Sequence, residues 1–198
     1  SGGTGGSGGQ GSTAGAAGGN GVGLQAQNIK LTLENGATIA GGGTANAISF
    51  TGGSNILVFE GASDGLTGNI GAEGTLTFDQ STDVTVDSAI TGGATVRKEG
   101  TGVLTLSGNN TYTGSTEITS GTVDLQGTLK TSVISVSNNA VFAINSHNAF
   151  QVLPIIRLEG TATFRFSETN SSFTARVNGV NGSNATKLEL NKNTISIE

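Results

Sequence analysis

No cysteine, methionine or tryptophan occurs among the 198 residues, and proline, histidine and tyrosine occur once each. The missing thiols exclude a disulfide scaffold and a thiolate zinc site. They also fit a chain that stays unfolded while it crosses an oxidising compartment. A lone histidine excludes a multi-histidine metal centre, and any Ser-His-Asp triad would have to use it. That residue, His147, stands between Asn145-Ser146 and Asn148, so a loop imidazole is expected rather than a base. Cationic residues are few, nine against 14 acidic ones, and spread singly but for Arg97-Lys98, which speaks against nucleic acid or anionic lipid as partner. No apolar run is long enough for a membrane span, so no direct membrane insertion is expected. The N-terminus lacks a charged-then-apolar signal pattern; for a secreted protein, the targeting segment is expected outside this chain. Helical spacing of apolar residues between capping residues is also missing.

What is present is glycine, threonine, serine and asparagine, together 100 of the 198 residues. Residues 1–23 hold 12 of the glycines and Val22 as the only large apolar side chain. They read as a low-complexity lead or linker. From residue 24 to 198 the apolar residues alternate with polar ones in short runs, the mark of strands with one buried face. Corners containing Gly or Asn recur at Gly36, Gly53, Gly74, Gly93, Gly121, Asn139 and Gly160, in steps of 17, 21, 19, 28, 18 and 21 residues. A period near 20 signals a solenoid, in which each coil buries its apolar stripe against its neighbours. The 28-residue step contains Gly100 and Gly102 as an additional corner. It predicts a loop bulging around Asn109 to Gly114.

The phase is uneven. After Gly74, Gly102, Gly121 and Gly160 the apolar residues fall second and fourth; after Gly36, Gly53 and Gly93 they start third, at Ile39, Ile56 and Val96. Either the second class has a longer corner or its corner lies elsewhere. The expected core includes these three residues with Leu76, Leu104, Ile118, Val123, Phe142 and Phe164. Pro154 is expected at a strand start or in a loop, since proline cannot donate to a ladder. Two short strands near the C-terminus, 187–190 and 194–197, would close the stack if they form an antiparallel hairpin.

The stretch Lys98 to Leu125, KEGTGVLTLSGNNTYTGSTEITSGTVDL, resembles the passenger-associated repeat of bacterial autotransporters. The matching residues are Lys98, Gly100, Gly102, Leu104 through Gly108, Asn110 through Gly114, Thr116, Ile118, Gly121, Thr122 and Leu125. Val123 departs conservatively from the usual leucine. The resemblance implies a right-handed parallel β-helix, here of seven or eight coils, displayed on a Gram-negative cell or secreted from it. It also implies a monomeric passenger segment covalently continuous with an outer-membrane β-barrel outside this chain.

Residues able to carry chemistry are sparse. Asp79, Asp83 and Asp87 form the acidic cluster, with Arg97 and Lys98 about one coil away. Two carboxylates beside a cation would suit a carbohydrate-active β-helix enzyme, the alternative reading, but strand parity makes this cluster a solvated face. The Thr-x-Thr pairs Thr75/Thr77, Thr111/Thr113 and Thr161/Thr163 would bind ice only if stacked in one row. The sequons at Asn109, Asn170, Asn181 and Asn184 are ones that this composition yields by chance. No catalytic, cofactor-binding or metal-ligating residue is therefore assigned. The expected function is display, supporting adhesion to a host receptor or glycan without catalysis. The two longest interruptions are Ser107 to Ser115, whose Tyr112 belongs to the repeat and is read as packing across its loop, and Asn145 to Pro154, with His147 and an exposed Phe150; any adhesive contact is expected in the second.

Overall fold

The computed structural model describes residues 21–146, 148–166, 174–177, 179–182, 187–189 and 194–197. Among them there is no helix, and all paired strands run parallel. The chain winds as a β-solenoid of about seven turns. Each full turn has three sides.

The first side stacks Leu24–Ala26, the opening halves of Ile48–Phe59 and Ile70–Asp79, then Ile90–Thr91, Asn109–Asn110, Thr128–Leu129 and a bridge at Phe150. The second stacks Lys30–Leu33, the closing halves of the two long strands, Thr95–Glu99, Thr116–Ile118, Val133–Val136, Ile155–Leu158 and Gly179–Gly182. The third stacks Val84–Val86, Val103–Leu106, Thr122–Leu125, Val141–Ile144, Thr163–Phe166 and Lys187–Glu189. Pro154 is buried and immediately precedes Ile155–Leu158, a place where a missing N–H does not interrupt the ladder.

Because side chains alternate along each strand, the parallel register builds vertical columns inside the coil. One runs Val86, Leu106, Leu125, Ile144 and Phe166. Its neighbour runs Val84, Leu104, Val123, Phe142 and Phe164, where the last two rings stack with centroids 5.6 Å apart. Eight of the nine expected core residues are buried. Ile56 is not: it faces outward and is half-buried.

The corners explain this exception and the uneven phase. Gly36, Gly53, Gly74, Gly121, Asn139 and Gly160 all adopt positive φ, whereas at the fourth corner the left-handed residue is Gly92, not Gly93. Counted from Gly92, the buried positions are again second and fourth, Ala94 and Val96. After Gly53 the second position is also inward, but it holds Asn55, fully buried and donating to Gly52 O at 2.9 Å. A buried polar residue thus disguised the phase. Only the Gly36 corner is longer, delivering Ile39 to the core at the third position.

Three expectations are corrected. The 28-residue step contains no bulging loop. Gly92 turns side one into side two, whereas Gly100 and Gly121 turn side two into side three, so the interval jumps between corner types. Residues 109–114 form the first side of their coil, with Asn110 and Tyr112 fully buried. The terminal strands form no antiparallel hairpin: Lys187–Glu189 pairs in parallel with Thr163–Phe166, and Thr194–Ile197 with Thr174–Val177. Phe150 is no free aromatic either. It packs on the core, 6.3 Å from the Phe142 ring, and bridges Leu129.

Candidate functional site

The coil from Val96 to Leu125 shows what its recurrent residues do. Val96 and Lys98 share the inward face of Thr95–Glu99. Lys98 therefore stands in the column Leu57, Phe78, Lys98, Ile118, Val136 and Leu158, where it is the only charged member. It is 1% exposed, and its ammonium donates to Glu99 O at 2.5 Å and Gly100 O at 2.7 Å. One coil on, a Cβ at Gly121 would lie 2.5 Å from Gly100 O and 3.0 Å from the Lys98 Nζ, and its φ is +68°. Glycine there leaves room for both the corner and the amine.

Asn110 occupies an inward slot with its amide satisfied: Nδ2 donates to Gly108 O and Thr128 O, and Oδ1 accepts from Ile90 N. Tyr112 fills the interior, its hydroxyl 2.7 Å from Thr116 Oγ1. A Cβ at Gly114 would be 2.2 Å from Ala94 O. Every one of these residues is engaged in closing and stacking the coil.

Burial pulls the Lys98 amine down to about 8 from an ordinary 10.5, against the opposing pull of Asp79, Asp83 and Glu99. The sign follows from linkage. Between pH 8 and 10.5 the unfolded chain binds more protons at this lysine than the folded one, so stability rises with pH across that window. The slope has a ceiling of about 1.4 kcal/mol per pH unit. Tyr112, raised above its ordinary 10.0 by burial, acts oppositely only above pH 10. Urea midpoints should therefore climb from pH 7.5 to 9.5 in the native protein and stay flatter in Lys98→Met; parallel profiles would show that Lys98 does not carry the effect.

The acidic residues divide by role. Asp83 Oδ1 accepts from Val103 N at 2.8 Å, tying two coils together. Asp87 lies beside Asp64, whose charge, aided by burial, holds the Asp87 carboxyl above its ordinary range. Asp64 is itself buried and accepts from Leu66 N and Ser88 N. Asp79 faces out on side two, 3.8 Å from Lys30 and in register with Glu99. On the same face Arg97 donates to Glu117 at 2.8 Å and 3.0 Å and lies 3.7 Å from Glu99. Asp79, Glu99, Glu117 and Arg97 thus form a mixed-charge patch across three coils. Sequence reading had joined Asp79 to Asp83 and Asp87 instead, and missed Glu99, Glu117 and Asp64. The 20-residue register could have found the first two.

The threonine pairs do not align. Thr75/Thr77 lie on side two, Thr111/Thr113 on side one, and Thr163 on side three after Thr161 at a corner. They form no row for ice. Asn109 is tied by its Oδ1 to Thr128 Oγ1 and Gln151 Nε2, and Asn181 lies in Gly179–Gly182. His147, Asn170 and Asn184 lie outside the described residues. No group of three or more metal-ligating side chains occurs among the described residues.

Residues 96–125 match the family profile described as a passenger-associated-transport-repeat. With the β-solenoid, this match is consistent with a repeat segment of an autotransporter passenger, a class of surface-displayed or secreted Gram-negative proteins. Searches among curated proteins and solved structures return no match to this chain.

Proposed function

We propose that this chain is a display stalk: a non-catalytic segment of a surface passenger that supports adhesion to a host receptor or glycan. The observation that carries the reading is the use of the repeat's residues. Lys98, Asn110, Tyr112 and the close-packed Gly114 and Gly121 all face inward or sit at corners, so these residues of the repeat build the coil. In a solenoid each coil needs only its neighbour, and a folded coil templates the next. That suits a chain emerging at a cell surface without an energy source there. The barrel that would anchor it lies outside this chain, and the stalk would act as a monomer.

A second reading, a carbohydrate-active enzyme, draws on the Asp79, Glu99, Glu117 and Arg97 patch. One experiment separates them. The full passenger and its Glu99→Gln/Glu117→Gln variant are displayed on cells and assayed for host-cell binding and for release of reducing ends from polysaccharides. The stalk reading expects equal display and binding from both, with release at the blank. Release by the native protein that the variant loses would replace it with the enzyme reading, and absence of binding by the native passenger would remove the adhesive role.

A further inference from the structure

Gln80 is fully buried, and neither its Oε1 nor its Nε2 has a hydrogen-bond partner among the described residues. Such an orphaned amide in a core costs about 1–3 kcal/mol unless something satisfies it. Its position is defined by the register. Asp79 pairs with Glu99, so Gln80 and Gly100 occupy the same corner in successive coils, joined by Gly102 N donating to Gln80 O at 3.0 Å. At that corner the Lys98 ammonium lies 2.7 Å from Gly100 O. An ammonium has three hydrogens, and the two carbonyls of Glu99 and Gly100 take two of them.

We propose that this corner holds a buried water, accepting from Gln80 Nε2 and donating to Gln80 Oε1, with the Lys98 ammonium as a further donor to it. The occupant must both donate and accept, since Gln80 offers one orphan of each kind. A cation is disfavoured by the ammonium. An anion is disfavoured by the field of Asp79, Asp83 and Glu99, which act on the same amine. A neutral dipole with two to four polar partners is what remains, the usual coordination of an internal water. Its role would be to keep the lysine hydrated inside an otherwise apolar column.

The test uses the folded protein, with water itself as the probe. In the native protein the Gln80 side-chain amide hydrogens should show a cross-relaxation peak at the water frequency, with the sign of a long-lived water. In oxygen-17 relaxation dispersion, Gln80→Leu should lower the count of long-lived waters by one. A Gln80 amide showing contacts to protein hydrogens alone would overturn the proposal, as would an unchanged count in a folded Gln80→Leu. Should that variant not fold, the peak or its absence in the native protein decides.

Discussion

Leu106→Asp should cost about 3–5 kcal/mol, by analogy with an uncompensated buried charge, and shift the urea midpoint to match. Leu106 is 1% exposed and sits between Val86 and Leu125 in its column. A carboxylate there meets aliphatic side chains above and below. Thr105, one residue earlier, points outward between Thr85 and Asp124. Thr105→Lys is the matched control: it should change stability by no more than about 0.5 kcal/mol. An aspartate would be a poorer control, because it would stand in register with Asp124, and like charges directly opposite are destabilising. Equal losses in the two variants would mean that the inward and outward faces of this strand are misassigned.

Tyr112→Ala is expected to be nearly as damaging, on the order of 3–5 kcal/mol, the range for deleting a large buried aromatic side chain. The ring is fully buried on the first side of its coil. Tyr112→Phe separates the ring from its hydroxyl. It should cost about 1 kcal/mol, because the bond to Thr116 Oγ1 is lost while the packing stays. A residue merely lying across an exposed loop would show little loss in either variant, and that outcome in thermal unfolding would contradict the placement.

Much of this fold is legible in the residues because a solenoid repeats one short rule. Alternation marked the strands, and positive-φ residues, five glycines and Asn139, marked six of the seven corners. What escaped was polar. Asn55 in an inward slot made the phase look shifted, and Lys98 stands in the sequence only as a cation about one coil from the acidic cluster, although its parity with Val96 already turns it inward. Burial is normally inferred from apolar character, so a satisfied amide or amine in a core slot is misread unless its parity is given more weight than its chemistry. Tyr112 escaped for another reason. It lies beyond any strand, and the one before it, Asn109–Asn110, has only two residues, too few for alternation to show. The Arg97 patch is invisible locally, because Asp79, Glu99 and Glu117 meet only through the register of successive coils.

The offset between stacked partners, 18 to 27 residues, has a mechanical consequence. Val123 lies against Leu104, 19 residues earlier. Drawn out, such a segment would reach roughly 65 Å, yet seating it lengthens the rod by only about 4.8 Å. Every coil that forms therefore hauls in more than ten times the distance by which the rod grows. Backsliding would require a seated turn to be peeled away, with its ladder bonds and apolar stripe lost together. A chain fed through a narrow opening and wound up on the far side would advance as if on a pawl and ratchet, the tooth spacing set by one turn of the solenoid.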